Sequence, residues 1–357
     1  MNFKNFYSAH KEKINQELGK FLNIKTRQAK KISKDCEKLT EAVKEFTLRG
    51  RSKRIRALLV ILGYAGFGGR NGREIIKAAS FIELIHSYLL IHDDIIDQDD
   101  LRRGKPTMHK YFEHSVKSKL SKDKSKLFGV SMGILAGDLC CSLGYEILMK
   151  AKFSDKAKAR AIEELDNLIF NVIQGEALDV FAQLSKQTSN KEIYNIYKYK
   201  TARYSFEQPL RIGGILAGAG ESDLNKLSKF AIPLGIAFQI QDDLLGLLGE
   251  EKTIGKPAGS DLREGKKTMV LSLALERCNS KERKIVQSVL GGKDIDLKDI
   301  NRVRDIARKT GALRLCGELI RDYISKSKKA LNKIDNFDAT ARSLLIELAD
   351  YISNREY

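Results

Sequence analysis

The sequence is poor in proline, tryptophan and cysteine, and each shortage excludes a class of protein. Only 4 of the 357 residues are proline and none is tryptophan. Because proline disrupts helix interiors, so few prolines favour a chain built of helices. The cysteines are too sparse for a disulfide scaffold, and no two have the CxxC spacing of a structural zinc site. We therefore interpret all of them as reduced core thiols of a cytosolic protein: Cys36, Cys140, Cys141, Cys278 and Cys316.

The composition also argues against intrinsic disorder and against a membrane span. Apolar residues make up 42% of the chain, far more than a disordered segment carries. The longest uninterrupted apolar run, residues 57–69, is shorter than the roughly 18–20 residues that a spanning helix needs. The first residues lack the apolar core of a signal peptide. We therefore expect neither a span nor a leader.

The charge is strongly positive, with 64 Lys and Arg against 46 Asp and Glu, a formal charge of +18. Such an excess is typical of proteins that bind nucleic acid, an anionic membrane surface or a highly anionic small substrate. The charge alone leaves all three partners open.

Apolar residues recur at helical spacing along most of the chain, and we find no alternating strand-like run. Asn71 followed by Glu74 has the pattern of a capping box. The spacing predicts helices over residues 26–49, 53–67, 71–98, 127–150, 154–184, 190–217, 222–248, 267–278, 281–289, 298–331 and 338–353. Exposed loops are expected at 119–126 and 249–267. No linker separates these segments, which predicts one all-helical domain over residues 1–357.

Two aspartate clusters each follow an apolar helical segment. Asp93 and Asp97 are four residues apart and so share one helix face, and Asp242 and Asp243 end another segment. Carboxylates at a helix C-terminus repel one another and are also repelled by the negative end of the helix dipole, unless a cation lies between them. Mg²⁺ prefers such oxygen ligands. The alternative, two solvated acidic helix ends, is disfavoured because the whole pattern occurs twice.

A basic, glycine-containing loop trails each cluster. Residues 102–105 (RRGK) follow the first cluster, and residues 254–257 (IGKP) and 265–267 (GKK) follow the second. Guanidinium groups hold phosphate oxygens through paired hydrogen bonds. Carboxylates that bind Mg²⁺ beside such cations indicate a diphosphate site. No GxxxxGK[ST] pattern is present, which disfavours P-loop nucleotide chemistry.

These segments resemble, in order, the motifs of the trans-isoprenyl diphosphate synthases (polyprenyl synthetases). Residues 83–97 (ELIHSYLLIHDDIID) with 102–107 (RRGKPT) are similar to the family's first aspartate-rich motif, and 238–243 (FQIQDD) to its second. Further similar motifs are 52–56 (SKRIR), 134–138 (ILAGD), 174–179 (QGEALD) and 200–202 (KTA). The resemblance spans about residues 50–270 and is closest to archaeal-type geranylgeranyl diphosphate synthases.

The resemblance implies an all-helical isoprenoid-synthase bundle around a central cavity. It also implies a Mg²⁺-dependent head-to-tail condensation, with three ions when substrate is bound. An allylic diphosphate (dimethylallyl, geranyl or farnesyl) would lose its diphosphate, and the resulting cation would alkylate isopentenyl diphosphate. The released diphosphate would take the proton. The family usually forms homodimers, which implies a homodimer here.

The resemblance also implies a role for each motif residue. The Mg²⁺ ligands would be Asp93, Asp97 and Asp242, with Asp94 and Asp243 nearby in support. The allylic diphosphate would be bound by Arg102, Lys200, Lys256 and Lys266. Isopentenyl diphosphate would be bound by Lys53, Arg56, His86 and Arg103. The catalytic residues would be Lys200, Thr201 and Gln239, of which Thr201 and Gln239 would lie beside the carbocation. Asp179 is a second-tier candidate near the cavity. For several of these positions a solvated helix end, a core histidine or plain packing is the alternative.

Product length is implied by the residues upstream of the first cluster. Tyr88 and Leu89 lie five and four residues before Asp93, and Tyr88 is about 7.5 Å from it along a helix axis. One aromatic at this place, without an insertion in the motif, implies a C20 product, with C15 as the alternative. Gly246 stands where the family usually has a third aspartate, which leaves the metal affinity of the second motif open.

Three other functions compete with this interpretation. An inactive subunit of a heteromeric synthase would not need intact cation and carboxylate motifs. A terpene cyclase or a head-to-head synthase would not need a site for isopentenyl diphosphate. A nucleic-acid binder would need a basic face with a recognisable module. We therefore expect a cytoplasmic enzyme that does not bind nucleic acid, with weak peripheral membrane contact through lysine-rich stretches such as 117–126 and 321–333.

Overall fold

The computed structural model describes residues 2–50, 52–185, 188–249, 259–292 and 294–353. Almost all of these residues are helical, which confirms the predicted fold class. The first helices are α1 Phe3–Lys30, α2 Lys34–Leu48, α3 Ile55–Gly66, α4 Gly72–Ala79, α5 Phe81–Ile96, α6 Met108–Val116, α7 Lys122–Met149 and α8 Asp155–Leu184. They continue with α9 Asn190–Ile196, a π-helix Tyr197–Glu207, α10 Gln208–Leu216, α11 Glu221–Leu248, α12 Ser260–Arg263, α13 Met269–Arg277, α14 Ser280–Val289, α15 Leu297–Lys309, α16 Ala312–Leu331 and α17 Ala339–Ser353.

Several predicted helices are divided in the structure. The segment 26–49 is wrong as one helix, because α1 ends at Lys30 and Ser33 caps α2 through a side-chain hydrogen bond. The segment 71–98 is broken at Ser80, and 298–331 is broken at Gly311, whose φ of 75° is left-handed. Periodicity continues across such breaks because the flanking helices bury the same side of the chain.

A short hairpin with strands of two residues each is present at residues 101–106, where we expected only loop. Strand β1 Leu101–Arg102 pairs antiparallel with β2 Lys105–Pro106. The residues between them, Arg103 and Gly104, have φ values of 56° and 74°. A two-residue turn with both φ values positive matches the twist of a hairpin. The hairpin therefore fixes Arg102 and Arg103 beside the end of α5.

Helices α3, α5, α8 and α11, together with the π-helix, form the wall around the site. Helix α5 packs against α7, and α11 packs against both α16 and the π-helix. Glycines allow close approach at the π-helix: a Cβ on Gly175 would lie 2.2 Å from the backbone nitrogen of Lys200, and one on Gly235 would lie 2.5 Å from Ala202 Cα. The wider π turn carries Lys200 and Thr201, as such irregularities often do at functional sites.

By length and composition, three helical stretches of the described chain could cross a membrane, contrary to our expectation. They are Gly72–Ile96, Lys122–Met149 and Glu221–Leu248, whose most apolar windows are 67%, 39% and 56% buried. Our expectation counted only uninterrupted apolar runs, whereas these helices reach high mean hydropathy with polar residues interspersed. The first and third are mostly covered by the bundle.

All five cysteines lie in the described part of the chain as free thiols. Cys140 and Cys316 are buried in the core. Burial raises the pKa of Cys140, and it raises the pKa of Cys141 to about 11. The prediction of core thiols is therefore right for Cys140 and Cys316 and wrong for Cys36, Cys141 and Cys278, which are only partly buried.

Candidate active site

Two adjoining cavities open between α3, α5, α8, the π-helix and α11. The upper cavity has a volume of about 820 Å³, and its lining includes charged residues from the SKRIR motif, the second aspartate cluster and both basic loops. The lower cavity measures about 760 Å³ and has mostly apolar walls. The residues that line both include Arg56, His86, Arg102, Lys200, Thr201, Gln239 and Asp242. A charged headgroup site thus lies directly above an apolar channel.

Three carboxylates converge at the junction of the cavities. Oxygens of Asp93, Asp97 and Glu176 lie within 4.8 Å of one another. Asp93 lies on α5 and Asp97 directly follows that helix, whereas Glu176 comes from α8 across the cavity. Burial raises the pKa of Glu176 to about 7. An all-oxygen carboxylate set of this size suits Mg²⁺. The predicted pair is therefore brought together, and Glu176 is a third ligand candidate to which the sequence had given no role.

Asp94 faces away from this cluster and is fully buried. Its carboxylate accepts a hydrogen bond from Arg102 Nε, and Arg102 also donates to Asp93 over 3.0 Å. Burial raises the pKa of Asp94 to about 7, although Arg102 opposes the shift. Asp94 thus holds the guanidinium of Arg102 against the first motif.

The two aspartates of the second motif likewise differ in their positions. Asp242 lines both cavities, whereas Asp243 is buried behind it. Asp243 accepts hydrogen bonds from Tyr197 and from Gln239 Nε2, the latter over 2.8 Å. Thr201 Oγ1 in turn donates to Gln239 Oε1 over 2.6 Å. This chain fixes the orientation of both predicted carbocation-facing side chains.

Gly246, the departure from the usual second motif, lies against another aspartate. A Cβ at this position would meet Asp261 Oδ2 at 2.5 Å. Asp261 also lines the upper cavity. A carboxylate from α12 therefore occupies the space beside Gly246, and the second motif keeps a nearby anionic side chain without a third aspartate of its own.

Two lysines predicted for the allylic diphosphate lie among these carboxylates. Lys200 Nζ is 2.6 Å from Asp179, 2.9 Å from Glu176 and 3.6 Å from Asp93. Lys266 Nζ is 3.0 Å from Asp97. Burial opposes charge on both ammonium groups, but the surrounding carboxylates raise the pKa of each. Both lysines are therefore cations at neutral pH. Lys256, the remaining predicted ligand, lies outside the described residues.

The cations predicted for isopentenyl diphosphate form a separate cluster on the far side of Arg102. The upper cavity is lined there by Lys53, Arg56, His86 and Arg103. Burial, followed by nearby Arg54, lowers the pKa of Arg103 to about 10, still a cation at neutral pH. Burial and Arg56 hold the pKa of His86 well below its usual value, so this imidazole is neutral. Such a cluster suits an anion without a metal ion.

Two neighbours of this cluster were missed by sequence reasoning. Arg56 donates to Tyr204 Oη and, over 2.7 Å, to Ser205 Oγ, and its guanidinium lies 4.4 Å from the Tyr204 ring centroid. Tyr204 Oη also lies 3.2 Å from His86 Nδ1. Both residues follow the KTA motif within the π-helix, whose register a regular helical repeat does not predict.

Tyr88 and Leu89 lie on the wall of the lower cavity. The Tyr88 ring packs edge-on against His92, with the centroids 4.9 Å apart. His92 Nε2 lies 3.2 Å from the carbonyl oxygen of Ile134, and a Cβ on Gly137 would meet it at 2.2 Å. The Tyr88 ring is thus braced through His92 against α7.

Comparisons with known proteins agree with this geometry. Residues 36–307 match the polyprenyl synthetase family. The chain belongs to that family. It is therefore a prenyltransferase of a Mg²⁺-dependent family, and the family resemblance inferred from the motifs is confirmed.

Individual relatives extend the match beyond the motifs. The chain is 34% identical to the geranylgeranyl diphosphate synthase of Sulfolobus acidocaldarius over 91% of this chain and 93% of that protein. It is 30% identical to the geranylfarnesyl diphosphate synthase of Aeropyrum pernix over 86% of this chain and 92% of that one. A geranylgeranyl pyrophosphate synthase from Corynebacterium glutamicum, solved with isoprenyl diphosphate and magnesium, has a TM-score of 0.92 at 30% identity, covering 98% of this chain and 99% of that one.

Proposed function

We propose that this polyprenyl synthetase condenses isopentenyl diphosphate head-to-tail with allylic diphosphates and makes mainly the C20 product geranylgeranyl diphosphate. The observation that carries the proposal is the pairing of two diphosphate-sized sites above one apolar channel. One site holds carboxylates with Arg102, Lys200 and Lys266, and the other holds a metal-free cation cluster. A cyclase or a head-to-head synthase needs no site for isopentenyl diphosphate.

The chain's own residues bind and orient the reactants. Arg102, Lys200 and Lys266 hold the allylic diphosphate as its C1–O bond breaks. The hydrogen-bond chain from Asp243 directs Gln239 Oε1 toward the Thr201 hydroxyl, which leaves lone pairs of the Thr201 oxygen for the adjacent allylic cation. Preorganised dipoles of this kind stabilise developing charge without reorganisation.

Three Mg²⁺ ions are proposed to bind with the substrate, held by Asp93, Asp97, Glu176 and Asp242. Bound Mg²⁺ supplies Lewis-acid stabilisation of the charge on the diphosphate. The cation then alkylates the double bond of isopentenyl diphosphate at the neighbouring site, and one proton is lost to the released diphosphate. The apolar channel keeps water from the cation.

The condensation itself is tested with labelled isopentenyl diphosphate and Mg²⁺, with and without an allylic primer. We expect label in a prenyl product only when primer and Mg²⁺ are both present. A folded chain that incorporates no label with dimethylallyl, geranyl or farnesyl diphosphate would instead be a non-catalytic partner subunit.

A second copy of the chain is the proposed partner, bound along α8. Phe170, Ile173, Ala177, Val180 and Leu184 follow one another at alternating spacings of three and four residues. Phe170 is 63% exposed and Leu184 is 82% exposed. Such a heptad seam is self-complementary and normally pairs with another helix. Because Ile173 and Val180 also line the lower cavity, a second copy would cover the channel from this side.

Phe170→Glu is expected to convert the dimer into a monomer, because it places a charge in the proposed seam. Light scattering coupled to size exclusion measures the mass. Leu297→Glu, at a 60% exposed apolar position on α15, is the matched control and should leave the dimer intact. A wild-type monomer, or a Phe170→Glu dimer of unchanged affinity, would contradict the proposal.

Cytoplasmic localisation and weak peripheral membrane contact remain predictions from the sequence. The lysines of the stretch 117–126 are exposed, together with Leu120 and Leu127. This arrangement supports a proposed contact with anionic lipid, since apolar side chains flanked by lysines favour such surfaces.

A further inference from the structure

Arg54 lies inside the motif that carries Lys53 and Arg56, and it borders the upper cavity with a side chain that is buried. It is 4% exposed and has a left-handed φ of 52°. A bulky residue adopts this backbone conformation only when the surroundings enforce it. The side chain of Arg54 must therefore make contacts that stabilise this turn.

Those contacts join four helices. Arg54 Nε donates to Asn15 Oδ1 of α1 over 2.8 Å, and one terminal nitrogen donates to Glu83 Oε2 of α5 over 2.9 Å. The other terminal nitrogen donates to the carbonyl oxygen of Thr47, at the end of α2, over 2.6 Å. Glu83 is 2% exposed, so the ion pair is shielded from solvent.

Glu83 also fixes the start of α3. Its Oε1 accepts a hydrogen bond from the backbone nitrogen of Ala57 over 3.3 Å. Arg54 is the residue before α3 and makes no side-chain cap of its own. A carboxylate from α5 therefore caps the helix whose first turn carries Arg56. The same carboxylate offsets the repulsion among Arg54, Arg56 and Arg103, which all lie near it.

We propose that Arg54, Glu83 and Asn15 act as one positioning unit that sets Lys53 and Arg56 in the geometry that binds isopentenyl diphosphate. The inference rests on the proposed function of that cation cluster. It assigns a function to α1, which lies outside the family match at residues 36–307. The three residues are positioning residues, since they act through Lys53 and Arg56.

The test compares the two substrates of one active enzyme. We expect Asn15→Ala, Glu83→Gln and Arg54→Lys each to raise the KM for isopentenyl diphosphate, by about tenfold to a hundredfold in the latter two. The KM for farnesyl diphosphate should change by less than about twofold, because that site is built from other residues. Arg54→Lys keeps the charge but cannot make all three hydrogen bonds.

A matched pair elsewhere separates positioning from simple stability. Arg211 donates to both oxygens of Glu164 over 3.0 and 3.1 Å, between α10 and α8 and away from both cavities. Arg211→Lys and Glu164→Gln should lower the melting temperature without raising the KM for isopentenyl diphosphate relative to the KM for farnesyl diphosphate.

Calorimetric titration of metal-free isopentenyl diphosphate into the folded variants gives a second measurement that does not need turnover. If the variants fold and turn over but the KM values move together, or if isopentenyl diphosphate binds as in the wild type, the inference is wrong. If Arg54→Lys fails to fold, the KM values of Asn15→Ala and Glu83→Gln test the inference instead, since both are milder changes. A wild-type chain without turnover would contradict the proposed function instead, and the titration would still show whether the unit positions the anion site.

Discussion

Asp93→Ala is expected to lower turnover by about a thousandfold or more, because it removes a ligand from the centre of the carboxylate cluster. Asp93 contributes to three features at once. Its oxygens belong to the cluster with Asp97 and Glu176, it accepts a hydrogen bond from Arg102, and it lies 3.6 Å from Lys200. Steady-state kinetics at saturating Mg²⁺ measure the loss.

The fold should survive this change, since the Asp93 side chain lines a cavity and is 21% exposed. Circular dichroism and the melting temperature check this point. Asp305→Ala, at a 73% exposed aspartate on α15, is the control and should keep full activity. Calorimetry of Mg²⁺ with inorganic pyrophosphate should show weaker binding only for Asp93→Ala. Near-normal turnover or unchanged metal binding in that variant would overturn the metal assignment.

Tyr88→Ala is expected to shift most of the product by at least one five-carbon unit beyond that of the wild type. The Tyr88 ring lies in the wall of the lower cavity and is held edge-on against His92. Removal of this partly buried ring leaves space that the braced surroundings only partly refill. The growing chain can then extend past the level of α5 at which it previously stopped. Chromatography of the dephosphorylated products measures the chain length.

Tyr88→Phe is the matched control, because it keeps the ring and removes only the hydroxyl. We expect its products to have the wild-type length. If Tyr88→Ala also gives the wild-type length, the floor of the channel is formed by other residues. If Tyr88→Phe lengthens the product as much as alanine does, the hydroxyl rather than the ring bulk sets the limit.

Sequence reasoning predicted which residues surround the cavities better than it predicted the contacts between them. Asp93 and Asp97 had to share a face because they are one helical turn apart on α5. The approach of α8 to α5 is a tertiary event, and for that reason Glu176 received no role although its motif was noticed. The proximity of Asp261 to Gly246 was equally hidden, since it is a contact between α12 and α11 that no local pattern specifies.

The helix assignments succeeded where one face stays buried over the whole length. The predicted segments 154–184 and 222–248 agree with α8 and α11 within about two residues at each end, the usual ambiguity of helix boundaries. The breaks at Ser80 and Gly311 were missed because periodicity persists across them. Helix α1 was largely missed because it carries no motif, yet Asn15 of α1 contacts Arg54, the neighbour of Lys53 in the proposed isopentenyl diphosphate site.

The site accounts for part of the strong positive charge of the chain. Arg102, Lys200 and Lys266 contact carboxylates, so they are part of a mixed-charge cluster rather than a basic surface. Lys53, Arg56 and Arg103 surround a separate anion site. Among the three partners that the charge left open, these contacts favour the small anionic substrate.

The most direct test of the account is the product formed from labelled isopentenyl diphosphate and dimethylallyl diphosphate with Mg²⁺. We predict that label accumulates in a C20 prenyl diphosphate, and that the reaction stops when Mg²⁺ is chelated. A predominant C15 or C25 product would contradict the assignment of Tyr88 as the floor for a C20 chain. Absence of any labelled product from the folded protein would contradict the central claim that the chain is a head-to-tail prenyl diphosphate synthase.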